Sequence, residues 1–223
     1  KGFDVVGVRE NGLIVGYVEK ASLEDGHIQK HLIRFDESKL VNGSAPLTGI
    51  FDMLHQNQRV FVKSFSKVNG IITKGDLQKL PVRLWLFGLV TLIEMQMLRK
   101  IRIKYSNDSF AKRLTKGRIE KAKQLFCQRR KSNAEIDLAE CLQFGDKKTI
   151  LLKDAEFMKI LDESTTSWEK CLSNLEKLRD NLAHGIDIFT CSTKKSKDSP
   201  LKELKELVEK GEKFLLQLEK IKD

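Results

Sequence analysis

The chain has 223 residues, 40% of them hydrophobic and 32% charged, with a formal net charge of +10. That composition leads us to expect a folded soluble protein of one large or two small domains. It offers no run of the roughly 18 uncharged residues that a membrane span needs, so no membrane segment is expected.

Taken in chain order, the first eighty residues read as strands and short helices. Residues 3–9 and 13–18 are β-rich and flank Asn11-Gly12, the strongest short hairpin signal. Residues 59–63 (RVFVK) and 68–74 (VNGIITK) repeat the arrangement. Between them, residues 46–55 carry helical apolar spacing at Leu47, Ile50, Phe51 and Leu54. The pattern is an internal echo: strand, turn, strand, short helix, seen twice.

After Pro81 strand patterning gives way to long helical periods. Residues 84–102 read as one helix. Its first part, 84–93, is apolar up to Glu94, as expected for a helix buried in a core or a dimer interface. Residues 109–131 read as a second helix, with Phe110, Leu114, Ala122, Leu125 and Phe126 inside, and 134–144 as a third that ends at Gly145. A short helix follows Asp154. Residues 166–169 (TSWE) read as a capping box. It opens a helix with Trp168, Cys171, Leu172, Leu175, Leu178 and Leu182 on its apolar face and Gly185 at its end. Residues 192–199 read as a polar loop. Ser199-Pro200 caps a last helix whose stripe is Leu201, Leu204, Val208, Leu215, Leu218 and Ile221.

The fold class expected is α+β: a small α/β module over residues 1–83, followed by a helical bundle over 84–223. No signal-peptide pattern is visible, and the chain opens at Lys1 rather than Met, as if cut from a longer start. Cys127, Cys141, Cys171 and Cys191 include no C-x-x-C pair, so a reducing cytoplasm is expected and a zinc site or disulfide framework is not. His27 and His31 form one H-x-x-x-H without a third ligand and read as a surface pair, so no metal is expected.

Charge is unevenly placed. Between Arg99 and Lys131, thirteen Lys or Arg stand against Asp108 and Glu120. Such a segment is either a solvated helix face or a site for a polyanion whose counterions it displaces.

Two short motifs carry chemistry. In "GIITKGD", residues 70–76, Thr73 ends a strand and Asp76 opens the next helix. Asp76 there is an ordinary N-cap, or it joins the Thr73 hydroxyl in holding the two hydroxyls of a ribose. In "NLEKLRDNLAHG", residues 174–185, Asp180 and His184 stand four apart on one helical face, with Arg179 beside them. Cleaving RNA without a metal needs an imidazole to move protons and a cation against the charged phosphorus. Guanidinium matches phosphate oxygens, and the 2′-hydroxyl is the nucleophile. His184, Arg179 and an orienting Asp180 are a sufficient minimal set. The plain alternative is a charge pair at a helix end.

The repeated strand pairs and the 70–76 motif resemble the CBS-domain pair, named after cystathionine beta-synthase. That family's motif is Gly, two apolar residues, Thr, two variable residues and Asp, and residues 70–76 match it. The resemblance implies an adenine-nucleotide regulatory ligand (AMP, ATP or S-adenosylmethionine). Thr73 and Asp76 would hold its ribose, and Val62 and Ile72 would wall its adenine. In the equivalent first stretch, residues 16–22, Glu19 stands for Thr and Ser22 for Asp, so one competent site per chain is expected; that first module also lacks a leading strand and helix.

Residues 84–223 resemble the HEPN superfamily, whose signature is Arg, four to six residues, then His. The resemblance implies a metal-independent ribonuclease acting as a homodimer, with two motifs in one cleft. RNA would lie along 99–131. Glu94, alone in an apolar helix, either faces that cleft and pairs with Arg179 or faces solvent. A Tyr often follows two residues after the His in toxin members; here that position is Ile186. The alternative is a non-catalytic nucleotide-sensing dimer that signals to a protein partner.

Overall fold

A computed structural model describes residues 3–132, 135–191 and 199–220. The protein is mixed α+β, with two three-stranded sheets among the described residues and a predominantly helical remainder. It divides into two compact units, residues 1–79 and 80–223.

The first unit begins with a hairpin of β1 (Val5–Glu10) and β2 (Leu13–Glu19). Asn11 and Gly12 make its turn, both at positive φ (48° and 80°), as the sequence leads one to expect of a type I′ turn. A short β3 (Ile33–Arg34) pairs antiparallel with β2. The second sheet starts at β4 (Leu40–Asn42), crosses through α1 (Leu47–Gln56) and returns as β5 (Arg59–Ser64) parallel to β4. β6 (Lys67–Thr73) then pairs antiparallel with β5.

The echo between the hairpins extends to register. Val8 faces Gly16 in one and Val62 faces Gly70 in the other, and each ladder shifts immediately afterwards. Gly16 has no room for a side chain, since a Cβ there would lie 2.4 Å from the Ile33 carbonyl oxygen. Each hairpin leads into a 3₁₀ turn rather than the short helix expected: Lys20–Ser22 after β2 and Lys74–Gln78 after β6. The unit's core joins both sheets. The rings of Tyr17 and Phe35 sit 4.7 and 4.8 Å from that of Phe61, and α1 buries Ile50, Phe51 and Leu54.

The second unit is built on α2 (Leu80–Lys104), which starts four residues earlier than expected. By length and composition alone α2 could cross a membrane. One side of it is instead packed in the bundle: Leu86, Val90, Ile93, Met97 and Ile101 are fully buried. The other side leaves Leu84, Phe87, Leu92 and Met95 exposed.

The expected helix over 109–131 is in fact two elements. A 3₁₀ stretch, Ser106–Arg113, precedes α3 (Lys116–Lys131). The break has a cause: the Arg113 carbonyl accepts from Lys153 Nζ at 3.0 Å instead of continuing a helical ladder, and Leu114 is extended. The expected third helix over 134–144 is corrected over residues 135–144, residue 134 lying outside the described residues. Ala139–Cys141 is a single 3₁₀ turn, and α4 (Phe144–Leu152) starts where the sequence pattern had placed a helix end. Asp146 accepts from the Gln143 backbone N–H at 3.0 Å, which nucleates a new helix there. Gly145 lies in its first turn, where a side chain would crowd the Glu176 carboxylate.

α5 (Ala155–Ile160) is capped by Asp154, as its sequence suggests. α6 (Thr165–Ala183) begins ahead of the expected capping box. Ser164 is its N-cap and accepts from the Ser167 N–H at 3.2 Å. α7 (Pro200–Lys220) has Pro in its first turn, and Ser199 Oγ accepts from the Lys202 N–H. Its expected stripe is buried at Leu201, Leu204, Val208 and Leu218 and only half-buried at Leu215; Ile221 and the loop residues 192–198 lie outside the described residues. α2, α6 and α7 meet closely at Gly211, where a Cβ would stand 3.3 Å from Ile93 and 3.5 Å from Leu175.

Candidate functional site

The C-terminal end of α6 carries Arg179, Asp180 and His184. The helix stops because Gly185 takes φ 69°, which lets the Ile186 N–H reach back to the Asn181 carbonyl at 2.8 Å. His184 is the C-cap residue and is exposed. The turn is held from two further sides. Arg83 of α2 donates to the carbonyls of Asn181 (3.0 Å), Leu182 (3.1 Å) and Ile186 (3.0 Å). A guanidinium there satisfies carbonyls that a helix end leaves open and complements its negative pole. The Asn181 side chain donates to the Asp187 carbonyl at 3.2 Å and to Thr190 Oγ1 at 3.1 Å.

Arg179 sits in a network of charges from three helices. Its Nη1 donates to Glu94 Oε2 of α2 at 3.5 Å, and its Nε and Nη2 donate to Asp180 Oδ1 at 3.2 and 3.0 Å. The guanidinium also lies 5.7 Å from the Phe144 ring centroid. Glu94 Oε1 accepts from Lys147 Nζ of α4 at 2.7 Å, and Lys147 is buried. Burial works against the charged form of Arg179, but the bonds to Asp180 and the charge of Glu94 prevail and hold its pKa above the ordinary value.

Glu94 therefore turns toward Arg179 rather than solvent. Asp180, expected to orient the His184 imidazole, instead holds the guanidinium beside it. Among the described residues no hydrogen bond is made to the imidazole. Lys147 and Arg83 were not singled out by the sequence reading. The signal for Lys147 was present: it falls with Phe144, Ile150 and Leu151 on the apolar face of α4.

The basic segment 99–131 divides by role. Arg118 forks onto Asp146 (Nε–Oδ1 2.6 Å, Nη2–Oδ2 2.8 Å) and Gln143 (2.8 Å), which ties α3 to α4. Arg102 donates to Asp137 at 2.6 Å and also to Glu140. Lys104 reaches buried Asp154 at 2.7 Å. By contrast, Lys112, Lys116, Lys121, Lys123, Arg129 and Lys131 have no acidic partner among the described residues. The free charge thus lies mainly on α3.

In the first unit, β6 delivers Thr73 to the start of the 3₁₀ turn Lys74–Gln78. Asp76 is not its N-cap; Thr73 is. Asp76 Oδ2 accepts from the Thr73 backbone N–H at 2.7 Å and from Thr73 Oγ1 at 2.8 Å, and Oδ1 meets Lys79 Nζ at 2.6 Å. Partial burial pushes the Asp76 carboxyl up, but these donors outweigh it and hold it below the usual carboxylate range. Val62 faces Gly70 and Ile72 faces Val60, so Val62 and Ile72 lie on one face of the β5–β6 ladder. Both Asp76 oxygens are thus engaged within the chain, and strand alternation sets Thr73 on the opposite face of the ladder from Val62 and Ile72. At the equivalent turn after β2, Glu19 Oε1 is bound by Arg59 at 2.7 Å and Ser22 Oγ donates to the Glu19 carbonyl at 2.9 Å.

His27 caps a 3₁₀ turn, Ile28–His31, so the two histidines do not share an α-helical face. Among the described residues no group of three or more His, Cys, Asp or Glu is placed to hold a metal ion. All four cysteines are free, with Cys127 exposed and the others buried. Burial raises the Cys171 thiol to about 12 and that of Cys191 to about 11, so both are inert thiols at neutral pH. No family model, curated protein or solved structure matches this chain.

Proposed function

We propose that the protein is a metal-independent RNA-cleaving enzyme of HEPN type, regulated by an adenine nucleotide held in a CBS-type unit. The observation that carries the reading is the end of α6, where an exposed imidazole and a guanidinium held by Asp180 stand on one helix terminus. The RNA 2′-oxygen attacks phosphorus and the bond to the 5′-oxygen breaks. His184 moves the proton to or from these oxygens, and Arg179 meets the growing charge on the phosphoryl oxygens. Asp180 and Glu94 set the guanidinium plane. The unpaired cations of α3 bind the backbone of the RNA.

The exposed apolar side of α2, with Leu84, Phe87, Leu92 and Met95, supports a homodimer, since contiguous apolar patches on a helix mark a docking surface. For the nucleotide, Thr73 and Asp76 would hold the ribose and Val62 and Ile72 would flank the adenine. The Arg59–Glu19 pair supports one such site per chain, because a carboxylate fills the sister position.

The test is cleavage of labelled RNA in EDTA, with and without AMP, ATP or S-adenosylmethionine. His184→Ala is expected to lose about a hundred- to ten-thousand-fold in rate, the span of general acid–base catalysis. Equal cleavage by both proteins, or none by either, removes the reading. A second reading has its own observation: every side of the Arg179 guanidinium that bonds at all bonds a carboxylate of its own chain. That arrangement suits a non-catalytic nucleotide-sensing dimer that signals to a protein partner.

A further inference from the structure

The two hairpins of the first unit share register but not turn chemistry. Asn11-Gly12 makes the first turn, and both residues tolerate positive φ. At the matching place in the second hairpin stand Phe65 and Ser66, at φ 48° and 63°. A bulky aromatic residue in the left-handed region is an outlier. Phe65 is also 99% exposed, the most exposed large hydrophobic residue among those described. The fold accommodates the Asn-Gly solution in the same register, so neither backbone strain nor ring exposure is required by the hairpin. Residues held this way collect at binding sites, where the strain presents a side chain.

The surroundings indicate the partner's charge. From Arg59 to Thr73 the hairpin contains three cations and no acidic residue. Arg59 is neutralised by Glu19, while Lys63 and Lys67, two residues to either side of Phe65, have no acidic partner among the described residues. Lys67 pairs with Ser64 on one face of the ladder and Lys63 with Val68 on the other, so free ammonium groups lie on both faces below the open ring. A single strand whose base stacks on the ring crosses the tip and meets a cation on either side. A bilayer fits less well, because one ring and two charges fall short of the two strong signals a stable membrane anchor needs.

We propose that the β5–β6 turn is a stacking platform for an unpaired base of single-stranded RNA, with Phe65 under the base and Lys63 and Lys67 meeting the strand's phosphates from the two faces of the ladder. The proposal rests on the reading of the chain as an RNA-acting protein and adds a binding site in the unit that reading assigns to the nucleotide.

The experiment measures binding of a short fluorescein-labelled single-stranded RNA to the full chain by anisotropy, with the annealed duplex and phosphatidylserine vesicles as parallel arms. Phe65→Ala is expected to weaken single-strand binding by about five- to a hundred-fold, the worth of one stacked base. Phe65→Trp is expected to keep affinity and to show quenched emission on adding RNA. The pair F65N/S66G restores the sister turn. It is expected to raise the melting temperature by a few degrees while losing the same affinity, since relief of strain and loss of the ring act in opposite directions.

Single-strand binding unchanged in both Phe65→Ala and F65N/S66G overturns the proposal, as does a parent that binds no RNA. Loss confined to the vesicles reassigns the tip to a lipid surface and also overturns it. Failure of His184→Ala to alter cleavage, with Phe65-dependent binding intact, would instead sink the nuclease reading alone.

Discussion

Lys147 Nζ and Glu94 Oε1 are 2.7 Å apart, joining α4 to α2 next to Arg179, and Lys147 has only 6% of its side chain exposed. A cation so placed depends on its partner, because an ammonium removed from water and left unpaired costs far more than a surface charge. Glu94→Ala is therefore expected to destabilise the helical unit by about 3 kcal/mol, near the lower bound for breaking a buried pair since Glu94 keeps some solvent. Adding Lys147→Met is expected to recover part of that loss. Urea unfolding of the single and double variants reads the coupling, and additive losses would show that the pair is not a unit.

Asp154 provides a pH handle. Burial alone would raise its carboxyl, but Lys104, Tyr105 and the N–H groups of Phe157 and Glu156 lower it to about 2. A carboxyl depressed in the folded state contributes stability that is present above its unfolded pKa and fades as pH falls toward the folded one. Stability of about 2 kcal/mol should thus be lost between roughly pH 5 and pH 2. Asp154→Asn should flatten that part of the acid-unfolding curve and lose the ion pair with Lys104 at neutral pH while keeping the helix cap, since Asn caps about as well as Asp. An unchanged acid slope would show that Asp154 is not the group responsible.

Arg83 is expected to govern the order of the turn that bears His184. Removing a guanidinium from three carbonyls leaves the end of α6 to water. Arg83→Ala should speed amide exchange over 181–187 while leaving the middle of α6 protected. Arg83→Lys, which cannot fork, should fall between the two. Exchange equal to the parent in Arg83→Ala would mean that Gly185 and Asn181 suffice.

The nucleotide reading predicts a ligand-dependent melting temperature. At a hundred times its Kd, a ligand that binds only the folded chain adds about 2.7 kcal/mol. Asp76→Ala should abolish the shift given by AMP, ATP or S-adenosylmethionine, on top of a baseline loss of about 1 kcal/mol from the broken cap. A shift that persists in Asp76→Ala would place the ligand elsewhere.

The dimer reading predicts that a charge on the open side of α2 separates the chains. Met95→Glu, at a position 59% exposed, should sediment as a monomer where the parent sediments as a dimer, without lowering the monomer's stability. A monomeric parent would remove the apolar stripe as support for that arrangement.

Signals that act over a few residues were legible before any coordinates. Asn11-Gly12 makes its turn, Asp154 caps α5, Gly185 stops α6 and Pro200 opens α7, because each works through backbone angles or bonds within one turn of chain. The expected helices over 109–131 and 134–144 failed for the opposite reason. Their apolar spacing was real, but Lys153 captures the Arg113 carbonyl and Arg118 holds the Asp146 box, and both partners lie far along the chain.

The candidate site divides along the same line. Spacing put Arg179, Asp180 and His184 together at a helix end, since 3.6 residues per turn is a local property. It could not decide that Asp180 holds the guanidinium instead of the imidazole, nor that Lys147 lies behind Glu94. Those outcomes depend on which side chains from α2 and α4 arrive within a few ångströms of α6 when three apolar faces close on one core. The positive φ of Phe65 and Ser66 is likewise a tertiary decision: paired strands in fixed register impose a left-handed turn on residues with no preference for it. Elements and their ends thus came from short-range sterics and capping, whereas charge partners and strain came from packing, because only packing brings distant residues close enough to choose one another.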